Sequence, residues 1–152
     1  MNSDHPNPAA VKKPATVVYA CSGCSDAGEI ADRIARRLAR DGVAQMSCLA
    51  GIGGRVKNLV STAEKAERIL VVDGCPLNCA RKTLELAGFQ RFDHLELDNL
   101  GMKKNSCPIT EERIAVGVDA AKKLISRDSG SRAPNQLPEN GRVAVLCPAD
   151  DK

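Results

Sequence analysis

Arg68-Ile69-Leu70-Val71-Val72-Asp73 is an uninterrupted aliphatic run closed by a carboxylate, and Gly74-Cys75-Pro76-Leu77-Asn78-Cys79 follows it directly. A strand with one wet face alternates polar and apolar residues, whereas a run such as Ile69 to Val72 marks a strand covered on both faces, as in a parallel sheet. The glycine and proline after Asp73 break the strand, and a third amphipathic helix of about ten residues then runs to a stop signal at Gly88. Moving outward, Ala15 to Ala20 (ATVVYA) repeats the signature of a doubly covered strand. The helix after it carries Ala27, Ile30, Ala31, Ile34, Ala35 and Leu38 on one stripe and Glu29, Asp32, Arg33, Arg36 and Arg37 on the other. Ser25 or Asp26 can cap its start, and Gly42 can end it.

A short strand, Ala44 to Leu49, leads into the glycine-rich stretch Ala50 to Gly54, which reads as a loop. Val56, Leu59, Val60 and Ala63 mark the second helix. Phe92 to Leu97, with His94 and Glu96 alternating with Leu95 and Leu97, suits an edge strand, and Thr110 to Ile125 is the last helix. Strict alternation of strand and helix requires right-handed crossovers. The expected fold is therefore α/β, a three-layer sandwich around a mostly parallel sheet of about four strands. Residues 14–126 form the domain, with 1–13 and 127–152 as flexible tails rich in Pro, Ser, Asn, Gly and charge. The apolar run Val143 to Leu146 within the second tail fits an edge strand or a disordered patch equally well.

Composition narrows the function. A net charge of +3 and only 2% aromatic residues argue against a nucleic-acid partner. No apolar stretch reaches membrane-spanning length, and the first residues lack the apolar core of a signal peptide, so a cytoplasmic protein is expected. Seven cysteines are then the anomaly, because a reducing compartment favours metal binding or redox chemistry over disulfides. Cys21 and Cys24 follow the first strand, Cys48 ends the second, Cys75 and Cys79 follow the third, and Cys107 follows the fourth. A parallel sheet delivers all of these to its carboxyl edge, where open α/β folds bind ligands.

The spacings Cys21-x2-Cys24 and Cys75-x3-Cys79 suit two pairs of thiolates around one tetrahedral ion. The first and third strands are neighbours in a flavodoxin-like order, so these four residues are the expected ligands of a Zn2+ ion. Cys48 and Cys107 are further candidates, with core packing an equal alternative for each. Nearby Arg55, Arg81, Lys82, Lys103 and Lys104 could offset the negative charge of such a site. His94 on a polar strand face is a poor ligand, His5 lies in a tail, and Cys147 reads as a tail thiol.

Cys21-Ser-Gly-Cys24-Ser-Asp-Ala-Gly-Glu29, Met46-Ser-Cys48-Leu-Ala-Gly51-Ile-Gly53-Gly54 and Asp73-Gly74-Cys75-Pro-Leu-Asn-Cys79-Ala together resemble the DGC-domain family of bacterial zinc-binding proteins. The resemblance spans roughly residues 15 to 125 and implies cysteine-mediated zinc binding, with a metal ion as partner, serving metal handling, sensing or structure. An iron–sulfur cluster is the alternative cofactor, since thiolates suit iron as well. Two other functions stay open. Cys75 and Arg81 stand in the C-x5-R spacing of cysteine-dependent phosphatases and arsenate reductases, although Pro76 deprives that loop of an amide donor. Cys21 and Cys24 at a helix start also fit thiol–disulfide exchange.

Overall fold

The computed structural model describes residues 16–23 and 25–127. The expected tails, apart from Arg127, lie outside the described residues, and with them His5, Cys147 and the run Val143 to Leu146; Cys24 is outside as well.

The chain runs β1 (Thr16–Ala20), α1 (Asp26–Arg40), β2 (Gln45–Met46), α2 (Leu49–Gly53), α3 (Lys57–Glu64), β3 (Arg68–Asp73), α4 (Cys79–Leu86), β4 (Asp93–Glu96), a 3-10 turn over Leu97–Leu100, and α5 (Glu111–Ser126). The sheet order is β2-β1-β3-β4 and all its pairings are parallel, with Val18 beside Leu70 and Val72 beside Leu95. The expected α/β sandwich and the neighbouring placement of the first and third strands are both observed. β1 and β3 are the central strands, and they are almost wholly buried because α1 and α5 pack together over the sheet while α4, backed by α2, packs on β3. Ile30, Ile34 and Leu38 from the apolar stripe of α1 join Val18, Leu70, Leu95 and Ile114 in one core.

The differences from the sequence reading are local. The second strand shrinks to Gln45–Met46: the Ser47 N–H still donates to Val18 at 3.0 Å, and from Cys48 the chain turns into α2. The expected loop over Ala50 to Gly54 is mostly that short helix. Its small residues allow close packing: a side-chain carbon on Gly51 would lie 1.9 Å from Leu59 Cδ1. The end of α1 behaves as read, with Ser25 accepting the Gly28 N–H at 3.2 Å and Gly42 at φ +70 leaving the helix.

Gly74 decides how closely the first turn of α1 approaches β3. A Cβ there would meet the Ala27 carbonyl carbon and oxygen at 2.6 Å, and backbone cannot yield as a flexible side chain can. Gly74→Ala is expected to destabilise by about 1–3 kcal/mol through overpacking. That corresponds to a fall in Tm of roughly 4–20 °C for a domain of this size. Gly23→Ala, where a Cβ meets nothing within 4 Å, is the control and should leave Tm unchanged. Equal Tm values for the two variants in a melting experiment would refute the close approach.

Candidate functional site

The carboxyl edge of the sheet is organised by a carboxylate. Asp73 ends β3 with 1% exposure, and it accepts the Ala80 N–H at 2.8 Å and the Arg81 N–H at 3.0 Å, so it satisfies the first turn of α4. The residue formally at the cap of α4, Asn78, holds a left-handed backbone at φ 53 and makes no side-chain cap bond. The second Asp73 oxygen also meets His94 Nε2 on β4 at 3.0 Å. One buried carboxylate thus joins β3, α4 and β4, which accounts for both an acid inside the protein and a histidine that is not a ligand.

Cys21 sits beside this hub. Its sulfur accepts the Gly74 N–H at 3.0 Å, and its backbone N–H donates to Val72. Burial pushes the thiol up to about 11; the Gly74 N–H opposes the shift, and the nearby negative charges of Asp73, Cys75 and Cys79 add to it. Cys21 is therefore a protonated packing group at neutral pH. Cys75 is half-buried in the loop before α4, Cys79 is exposed at the first position of α4, and Cys48 is exposed just before α2. Cys107 is buried on the loop before α5, where its sulfur accepts from Arg113 Nη1 at 2.7 Å.

The zinc reading is corrected by this geometry. Cys75 and Cys79 lie near enough to Cys21 for their charges to act on it. Yet among the described residues no group of three or more His, Cys, Asp or Glu side chains is placed to hold a metal ion. Cys21 is occupied by an amide donor, Cys107 by a guanidinium, and Cys48 leaves the sheet with α2. The donor set among the described residues, which do not include Cys24, fits neither Zn2+ nor an iron–sulfur cluster, and a metal ion is not supported as partner. What sequence spacing measures is separation along the chain; whether the sulfurs converge depends on how each loop is rotated.

The alternatives lose donors to internal bonds in the same loops. A C-x5-R phosphatase or arsenate reductase needs loop amides and the arginine aimed at a common oxyanion. Here the Gly74 amide serves Cys21, the Asn78 amide serves the Cys75 carbonyl, the Ala80 and Arg81 amides serve Asp73, and Pro76 has none. The Arg81 side chain turns along its own helix to Glu85, 2.8 Å away. For thiol–disulfide exchange, Cys21 is buried and held protonated, which disfavours it as the attacking thiol, and its expected partner Cys24 lies outside the described residues. Arg55, expected to offset charge, instead donates to the Leu86 carbonyl.

Two features escaped the sequence reading. Asp26 accepts the Asn105 and Cys107 backbone N–H groups, both at 2.8 Å, which ties the loop before α5 to the start of α1. Those two bonds, Cys107 first, hold its carboxyl below the ordinary value. A cavity of about 600 Å³ opens where β2 ends, lined by Ser22, Gln45, Ser47, Cys48, Ala50 and Leu59 among others. Its only advance signal was the cysteine at the end of a strand.

The fold and its carboxyl-edge loops define an α/β protein with free cysteines on a parallel sheet. A DGC-domain profile matches residues 17–121, and this chain belongs to the DGC-domain family. It is 45% identical over 91 residues to the anaerobic and virulence modulator AnvM of Pseudomonas aeruginosa, an alignment covering 60% of this chain and 70% of that protein. No solved structure matches the chain.

The thiols divide by accessibility. Cys48 and Cys79 are expected to react with iodoacetamide at pH 7.5 at least about tenfold faster than Cys21, read by peptide mass mapping, because attack needs an exposed thiolate. Cys21 also makes stability depend on pH in a defined window. The unfolded chain releases its proton near the ordinary value of 9.0 and the folded chain near 11, so its contribution is complete below pH 9 and is lost as pH rises toward 11. The stability difference between the chain and Cys21→Ala should fall across that window in urea titrations, and a flat difference would contradict the assignment.

Proposed function

We propose that this chain is a regulatory protein that modulates the response to anaerobic conditions by binding, with the cavity beside Cys48 as its working site. The carrying observation is its 45% identity to AnvM, a protein named as an anaerobic and virulence modulator. Two structural facts support binding over turnover. The Gly74, Ala80 and Arg81 amides around the loop before α4 already serve the Cys21 thiol and the Asp73 carboxylate, and the cavity at the end of β2 mixes hydroxyl, amide, thiol and apolar walls in the manner of a recognition pocket.

The domain that does this work is residues 14–126, and its place of action is the cytoplasm. The free state of Cys21, Cys48, Cys75, Cys79 and Cys107 suits a reducing compartment. No helix among the described residues is long and apolar enough to cross a membrane.

The test is genetic. This chain, expressed in Pseudomonas aeruginosa lacking AnvM, should move the anaerobic transcript profile toward that of the intact strain, and a version shortened to residues 14–126 should do the same. Ala50→Arg, placed on the exposed wall of the cavity, should lose the effect while keeping its Tm. A well-expressed, folded chain that leaves the profile unmoved, or an Ala50→Arg variant that works fully, would defeat the reading.

A further inference from the structure

We infer that the flank of α1 and the carboxyl end of β2 form a binding site for a nucleoside phosphate whose base carries an exocyclic amino group. This rests on the regulatory reading, since it names the ligand class of the same cavity.

Arg33, Arg36, Arg37 and Arg40 recur at the i, i+3, i+4, i+7 spacing, which puts four guanidinium groups on one flank of α1. They line a concavity of about 590 Å³ whose apolar lining is Ala39, Met46 and Ile114. Arg36 and Met46 also line the cavity beside Cys48, so the two adjoin in one groove. A groove of this size suits a small organic ligand better than a bare inorganic ion.

The charges are partly compensated, and the manner of compensation matters. Glu29 pairs with Arg33, Asp32 with Arg36 and Glu111 with Arg37, whereas Arg40 has no carboxylate partner among the described residues. Asp32 holds Arg36 through Nε, and Glu111 holds Arg37 through one Nη. The remaining N–H groups of both forks are left for an incoming anion. A guanidinium edge matches the spacing of phosphate oxygens and binds them in pairs. Exposed ion pairs of the Glu29 and Glu111 kind hold weakly, so a phosphate dianion can displace or join them.

The other end of the groove asks for a donor. Gln45, which lines the Cys48 cavity, keeps its Oε1 buried with no hydrogen-bond partner among the described residues. A buried acceptor left unpaired is costly, and a ligand N–H is the group that satisfies it. Met46, common to both cavities, offers a thioether suited to contact with a flat ring. Phosphate on the arginine flank, ring on Met46 and amino group on Gln45 together describe a nucleotide such as AMP. UMP has no exocyclic amino group, and its one base donor, the ring N3–H, is flanked by two carbonyl oxygens that an acceptor such as Gln45 Oε1 repels, so it keeps the arginine contacts and pairs poorly with Gln45.

Isothermal titration of the purified full chain with AMP, UMP, inorganic phosphate and an oligoglutamate peptide tests the assignment. AMP should bind saturably and at least tenfold tighter than UMP or phosphate. The paired substitution Arg36→Gln with Arg40→Gln should weaken AMP at least tenfold with Tm retained, and Gln45→Leu should abolish the preference for AMP over UMP. Absence of saturable AMP binding, equal binding of phosphate or the acidic peptide, or indifference to both sets of substitutions would overturn the inference. These readings come from purified protein, so their failure leaves the complementation result standing. Failed complementation with AMP bound as expected would instead remove the regulatory reading.

Discussion

A single buried carboxylate holds the carboxyl edge of this protein together. Asp73 ends the central strand β3 and meets the opening turn of α4 and the imidazole of His94 on β4. A carboxylate withdrawn from water persists only when its lone pairs are used, and here they are used by groups that themselves need partners, the orphan amides of a helix start. Gly74, next in the chain, extends the arrangement: its lack of a side chain admits the α1 backbone, and its amide is the donor that Cys21 receives. Strand, two helices and thiol are thus positioned by two adjacent residues.

This arrangement explains why cysteines gathered at one edge do not make a metal centre among the described residues. The groups that would cradle a metal or an oxyanion are turned toward one another. Cys21 is held protonated by burial, Cys107 faces Arg113, and Arg81 folds back onto Glu85. What remains open to solvent lies to the side, around Cys48 and the arginine flank of α1, where the short β2 ends the sheet and leaves a groove.

Much of the fold could be read from residue pattern alone, because the aliphatic runs of β1 and β3 and the stripe of α1 obey periodicities that packing then enforces. The failures fall where small residues or side-chain direction decide. Ala50, Gly51 and Gly53 looked like a loop but wind into α2, since the surrounding core rewards the close contact with Leu59. The site was legible as a place and not as a chemistry: spacing brought Cys21, Cys75 and Cys79 to one edge, yet nothing in the spacing shows that the Gly74 amide faces Cys21. Asp73 was visible as the charged end of an apolar strand. Its reach of seven and eight residues to the amides of Ala80 and Arg81 lies beyond any local capping pattern.

The most direct measurement compares unfolding free energies, by urea titration, of Asp73→Ala with those of Cys75→Ser and Cys79→Ser. Removing the carboxylate strands buried donors, so Asp73→Ala should cost about 3 kcal/mol or more. The two serine substitutions, at half-buried and exposed positions, should each stay within about 0.5 kcal/mol of the unchanged chain. An Asp73→Ala variant as stable as the parent, alongside serine variants that lose several kcal/mol, would contradict the account and return the organising role to the thiols.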